Sequence, residues 1–184
     1  MNFDIIDNLK LDNEGMAQAI AQEIEHILAQ GGADSSRLAQ EVAQSPDDAS
    51  TWFDLGVALT ADAEMLDYLM VQKYRMEHPG TEIDGDTPYA DPEAKARVYE
   101  KAQRCFAKVL ELEPEYYGVQ YQQGLLYANL RNYAQAEKCF LQALEDDPED
   151  FSSAHALAMV YQDMGDEERC SHYLDLAERL SAEG

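Results

Sequence analysis

Residues 102–115 read Ala-Gln-Arg-Cys-Phe-Ala-Lys-Val-Leu-Glu-Leu-Glu-Pro-Glu, and residues 136–149 read Ala-Glu-Lys-Cys-Phe-Leu-Gln-Ala-Leu-Glu-Asp-Asp-Pro-Glu. At this single offset the stretches agree at seven of 14 places: Ala102/Ala136, Cys105/Cys139, Phe106/Phe140, Leu110/Leu144, Glu111/Glu145, Pro114/Pro148 and Glu115/Glu149. A fixed period of this length marks a repeat architecture in which each unit is one supersecondary element that buries its apolar face against its neighbours. The same period runs on more weakly: Tyr127 maps to Tyr161 and Ala143 to Ala177, while Leu141 gives way to Asp175, Phe140 to Leu174 and Pro148 to Ala182.

Within one period the pattern predicts two helices. Val119, Leu126, Tyr127 and Leu130 recur at helical spacing, and Asn129 to Asn132 lies where a turn belongs. Tyr133, Ala136, Phe140, Ala143 and Leu144 then mark a second amphipathic helix, ended near Pro148 because proline cannot continue it. Gly124 and Ala136 are small enough to let two helix backbones approach, and Phe140 fills the space beside them.

These residues carry a resemblance. Trp52-x2-Leu55-Gly56-x2-Leu59, then Gly124-x2-Tyr127 with Ala136-x3-Phe140 and Pro148, is similar to the tetratricopeptide repeat pattern. The pattern is fullest over 117–150. It continues in 49–62 with 98–116 and in 151–182, where Ala158 stands for the glycine and Cys170 for the small alanine. It spans about two-thirds of the chain. The resemblance implies an all-α, right-handed solenoid of helical hairpins with about three repeats.

The phase is broken once. Counting from Trp52, the small residue of the second helix belongs at Tyr68, which is too bulky. The matching residue is Ala102, so one full extra period intervenes. One reading lengthens both helices of a single repeat. Leu55, Leu59, Leu66, Leu69, Met70 and Tyr74 keep a helical stripe to about Glu77, a Pro-, Gly- and Asp-rich loop follows at about 78–92, and a long helix restarts near Pro92. The other reading fits two degenerate repeats into 49–116, since Pro46 and Pro114 are two periods apart. That reading needs turns near 62–65 and 96–99, and the residues there supply none, which favours the long hairpin.

Before this unit, Ala17, Ile20, Ile24, Ile27 and Leu28 form an apolar stripe stopped by Gly31-Gly32, and Leu38 and Val42 lie on a second helix ending before Pro46. The expected organisation is an N-terminal helical pair over 1–48 (a degenerate repeat or a cap), the interrupted repeat over 49–116, a regular repeat over 117–150 and a C-terminal one over 151–184. The short apolar stretch from Phe3 to Leu9 either folds back on the first helices or forms a partner-binding tail. On the last helix Leu176 is expected to point outward, so that this helix caps itself or offers a self-association surface for a homo-oligomer.

Thirteen Lys and Arg face 37 Asp and Glu, a formal net charge of −24. A field of that sign repels phosphate backbones and anionic lipid heads, so nucleic acid and acidic membranes are excluded as expected partners. The N-terminus lacks a signal-peptide pattern, no run reaches transmembrane length, and Cys105, Cys139 and Cys170 form no CxxC pair, which points to a cytoplasmic protein with small buried thiols.

No catalytic, cofactor or metal residues are expected. His26, His78, His155 and His172 fall in no HExxH or zinc spacing, no phosphate-loop or nucleophile-elbow motif occurs, and Asp84-Gly85-Asp86 lacks the order of a calcium loop. A helical metal enzyme needs paired Glu-x-x-His motifs, and Glu23-Ile-Glu-His26 has no second copy.

In proteins with such repeats the first helices line a concave groove. By that resemblance Phe53, Val57, Tyr121, Leu125, Asn129, His155, Met159 and Gln162 would face it. Lys, Asn and Arg at such places clamp a peptide carboxylate in some members. Here the places are mainly aromatic and aliphatic, and Asn129 has no basic neighbour among them, so no carboxylate clamp is expected. The implied function is a non-catalytic protein–protein interaction scaffold for a polypeptide with apolar anchors and basic flanks. A small secretion-type chaperone is a more specific version, from which the inserted hairpin departs.

Overall fold

The computed structural model describes residues 13–82 and 92–183. The stretch from Phe3 to Leu9 and Asp84-Gly85-Asp86 lie outside the described residues, as do the side chains of Ala17 and Ile20. The described chain is helical: α1 Asn13–Gln30, α2 Ala33–Gln44, α3 Ala49–Glu77, α4 Pro92–Leu112, α5 Val119–Asn129, α6 Tyr133–Asp146, α7 Phe151–Met164 and α8 Glu167–Glu183. Among the described residues no helix is long and apolar enough to cross a membrane. The chain divides into two compact units, one ending at Lys108 and the next beginning at Val109 within α4.

In the first unit, α1 stops at Gly31, whose φ of 82° is open to glycine and strained for other residues. The next amide is held from a distance: Gly32 N–H donates to Asp62 Oδ2 on α3 at 2.9 Å, and the buried Ser35 hydroxyl donates to the same oxygen. A carboxylate at the start of α2 also meets the positive end of the helix dipole. Ile27, Leu38 and Val42 are buried, as the stripe predicts.

Helix α3 begins at Asp48, whose carboxylate accepts from Ser50 N–H at 3.1 Å and from the Thr51 hydroxyl at 2.6 Å. The Thr51 bond is the main cause that holds the Asp48 carboxyl below the usual aspartate range. Trp52 Nε1 donates to Pro46 O at 2.8 Å and ties the helix to the preceding turn. From there α3 is continuous for 29 residues, about 43 Å at the helical rise, with Leu55, Leu59, Ala63, Leu66, Leu69 and Met70 buried. No turn interrupts 62–65 or 96–99.

Helix α4 runs back along α3. Phe106 lies on Gly56 near one end of the pair, and Lys95 Nζ meets Asp67 at 3.3 Å near the other. A Cβ on Gly56 would sit 2.6 Å from Phe106 Cε1. The second unit repeats this contact: a Cβ on Gly124 would sit 2.5 Å from Phe140 Cε1. The separation of Gly56 from Phe106 along the chain exceeds that of Gly124 from Phe140 by one full period. The added residues therefore fall between glycine and phenylalanine, where they lengthen both helices and leave the contact unchanged.

The backbone shows the same period. Tight turns with a carbonyl-to-amide bond of 3.1–3.2 Å recur at Ser45–Asp48, Glu113–Tyr116 and Asp147–Asp150, each containing one of the phased prolines. Asp150 caps α7 as Asp48 caps α3, accepting from Ser152 N–H at 2.9 Å and from the Ser153 hydroxyl. Between α5 and α6, Asn132 N–H donates to Tyr127 O at 2.8 Å. One period later Asp166 N–H donates to Tyr161 O at 2.9 Å. The residue before each of these donors is left-handed: Arg131 with φ 56° and Gly165 with φ 73°.

In the last hairpin Ala158 stands where glycine stood and Leu174 where phenylalanine stood. With no ring to receive, the helix surface tolerates a methyl group, and Ala158 is fully buried. The contact shifts to Tyr161 and Tyr173, stacked with centroids 5.4 Å apart. Ala177 is buried, so Tyr173, Leu176 and Leu180 flank the inward face. Leu176 is half-buried, not outward-pointing as its position in the sequence pattern suggests; Leu174, one residue on from Tyr173, is the exposed leucine. The outer face of α8 otherwise carries His172, Asp175, Glu178 and Arg179.

Polar contacts tie α6, α7 and α8 together. Tyr161 Oη donates to Glu137 Oε1 at 2.8 Å, and Arg169 donates to that oxygen at 3.0 Å and to Asp166 Oδ2 at 2.7 Å. The guanidinium lies 4.3 Å from the Tyr161 ring centroid, a cation–π geometry. Burial first, then the bond to Glu137, pushes the Tyr161 phenol up to about 12. The thiols are free; burial raises Cys105 to about 11 and also raises Cys139, while Cys170 is half-buried.

Three outcomes are expected. Gly124→Ala should lower stability by about 1–3 kcal/mol in urea unfolding, because forcing a methyl into the fully buried Phe140 ring outweighs the helix-propensity gain of about 1 kcal/mol. Arg131→Gly should raise the unfolding midpoint, by up to about 1 kcal/mol, by relieving a left-handed non-glycine residue. Tyr161→Phe should destabilise at neutral pH by about 1 kcal/mol. A raised phenol contributes stability that is complete below the ordinary tyrosine value near 10 and is lost as pH rises through about 12. The gap between wild type and Tyr161→Phe should therefore narrow across that window in denaturant titrations.

Candidate functional site: an apolar cleft between α5 and α7

The second unit contains a cleft of about 280 Å³ between its first helices, α5 and α7. Tyr121, Leu125 and Ala128 reach it from α5. These three follow at intervals of four and three residues, which puts them on one helix face. From α7 come Phe151, His155, Met159 and Asp163, a ladder of steps of four, with Ser152, Ala156 and Val160 beside it. Phe140 of α6 also lines the cleft from a fully buried position, so the ring that holds the hairpin together also forms part of the cleft wall.

The two ring pairs at the cleft differ in geometry. Tyr121 and Phe140 have centroids 5.8 Å apart and are tilted by 53°. Phe151 and His155 are 5.8 Å apart and nearly parallel at 25°. Burial first, and then the negative charge of Asp150, raises the Tyr121 phenol above its ordinary value, so this side chain is a neutral hydroxyl at physiological pH. Two large apolar side chains stand open to water at the cleft, Phe151 and Met159, each 44% exposed.

Of the residues expected on a groove, the structure brings Tyr121, Leu125, His155 and Met159 together around this cleft. Asn129 and Gln162 are exposed on α5 and α7 but do not line it. Phe53 and Val57 are half-buried on α3 in the first unit, where the Phe53 ring packs at 6.0 Å and 59° against Phe106. Sequence reasoning missed Ala128, Phe151, Ser152, Ala156, Val160, Asp163 and the contribution of Phe140. Phe151 and Asp163 continue the His155–Met159 ladder by one step of four at each end, and that spacing was the available signal. The place of Phe140 in the repeat accounts for its packing beside Gly124 and carries no signal of its part in the cleft wall.

Among the described residues no three His, Cys, Asp or Glu are grouped to hold a metal. The cleft offers apolar and aromatic surface, one neutral phenol, one serine, one imidazole and one carboxylate. That inventory suits the non-covalent holding of a side chain or short segment.

No curated protein matches the chain. Solved structures similar to it include "MamA MSR-1 C2", 19% identical over 91% of this chain and 97% of that one with a TM-score of 0.44. Others are "Crystal structure of MamA", at 13%, 100%, 96% and 0.44, and "MamA 41-end from Desulfovibrio magneticus RS-1", at 15%, 91%, 96% and 0.44. Residues 118–150 match the tetratricopeptide repeat family. They contain the α5–α6 hairpin, the Gly124–Phe140 contact and one wall of the cleft. The described chain is therefore helical and carries a tetratricopeptide repeat at residues 118–150.

Proposed function

We propose that this protein is a non-catalytic interaction scaffold that holds a polypeptide segment by apolar anchors in the α5–α7 cleft. The observation that carries the reading is the exposure of Phe151 and Met159 at a cleft whose remaining wall is largely aliphatic and aromatic. Large apolar side chains kept in water next to a concave apolar surface lower solubility unless something covers them. An anchor seated among Tyr121, Leu125, Phe140 and Met159 gains about 1–3 kcal/mol from burial. The formal charge of −24 favours segments with basic flanks through long-range attraction. The tetratricopeptide match agrees with a protein-interaction role.

Random peptides of about twelve residues, selected on the immobilised protein, test the reading. The selected peptides should share apolar anchors. Phe151→Ala with Met159→Ala should weaken them at least about tenfold, because two exposed contacts are lost together. Helicity by circular dichroism should be unchanged, since neither side chain is buried. Unchanged affinity in the double variant would exclude the cleft as the binding surface.

A further inference from the structure

The two ends of the cleft differ in how far the carboxylate there is already engaged, and the difference gives a bound segment a register. Along α7 the lining residues Phe151, His155, Met159 and Asp163 are spaced by four, so each step advances about 6 Å. An extended peptide advances about 6.6 Å for every two residues, and alternate side chains face the same way. Side chains at i, i+2 and i+4 of an extended segment thus keep step with successive members of the ladder.

At the N-terminal end of α7 the nearby carboxylate is already engaged. Asp150 accepts from Ser152 N–H at 2.9 Å and from the Ser153 hydroxyl, and it faces the positive end of the helix dipole. At the C-terminal end Asp163 lines the cleft and is exposed, and its carboxylate makes no hydrogen bond or ion pair with another described residue. The negative end of the dipole adds to its charge. Asp166, just beyond, is engaged by Arg169 at 2.7 Å and does not compete for a cation. One end of the ladder therefore presents a carboxylate already engaged as a helix cap, and the other a carboxylate with no such partner.

We infer that Asp163 is a specificity-determining residue, selecting a lysine or arginine two residues from an apolar anchor, so that the preferred segment reads apolar-x-apolar-x-basic. This rests on the binding reading proposed for the same cleft. The apolar residues cover Phe151, His155 and Met159, and the basic side chain lays its methylene stem beside Met159 with its charge at Asp163. A like-charged residue at the same place meets both Asp163 and the helix end, which rejects acidic segments.

Labelled peptides of about ten residues, alike except at five central positions, separate this local pairing from the overall field. One carries Leu-Ala-Phe-Ala-Lys, the second Leu-Ala-Phe-Lys-Ala, and the third Leu-Ala-Phe-Ala-Ala. The first two have the same composition and net charge, but the second turns its lysine to the opposite face. Fluorescence anisotropy at about physiological salt should show the first binding about three- to tenfold more tightly than the second. Asp163→Asn should erase that difference. Equal binding of the first two by wild type, or a preference that survives Asp163→Asn, overturns the inference. If the third peptide is indifferent to Phe151→Ala with Met159→Ala, the cleft reading itself fails, and the two failures are distinguishable.

Discussion

Phe140 occupies the space that a side chain on Gly124 would need, and Phe106 does the same at Gly56. A ring lying directly on a helix backbone brings two helices as close as they can come. It also fixes which turns of the helices oppose each other, because the ring has no second place to sit once its surroundings are packed. Everything built on the hairpin inherits that register: the turn at Arg131, the wall formed by Tyr121 and Leu125, and the setting of Phe140 in the cleft. Where the ring is absent, at Leu174, the glycine is absent too and stacked tyrosines take over the contact.

The same constraint explains how a whole period can be added between Gly56 and Phe106 without loss of the fold. An insertion in a repeat is tolerated when it leaves the close contact intact, and the simplest way is to lengthen both helices beyond it. The continuous apolar stripe of α3 and its ion pair at the far end, Asp67 with Lys95, show the added turns packed against each other rather than looped out. The outcome selects between two arrangements equally compatible with the phase of Pro46 and Pro114. A helix without turn residues stays a helix, because breaking it would orphan backbone donors and acceptors with nothing to satisfy them.

The cleft gains its character from where the repeat stops being purely structural. Tyr121 and Phe140 are partly occupied in holding α5 and α6 together, whereas Phe151 and Met159 contribute little to that packing and remain 44% exposed. On the opposite side of α7 the Tyr161–Glu137–Arg169–Asp166 contacts fasten the helix to its neighbours. Exposed ion pairs of this kind are weak individually, but together with the cation–π contact they fix the rotation of α7, and with it which residues face the cleft.

Sequence alone determined the period, the two helices per period, the turns at the prolines and the small-residue contact, because these depend on spacing and on residues with few conformational options. Spacing also paired Tyr121 with Leu125 and His155 with Met159, since residues four apart share a helix face, while only the resemblance to the repeat family implied that the two pairs share a groove. Tertiary structure decided what spacing cannot. Asp62 reaches across 30 residues to hold the start of α2, a partnership between distant positions with no local signature. Leu176 is half-buried and Leu174 exposed, because the last helix packs by its tyrosine where the earlier one packs by phenylalanine. Asn129 and Gln162 share the exposed side of their helices but lie outside the cleft, and Phe151 and Asp163 complete it, because a concave surface is defined by the meeting of two helices and not by the face of either one.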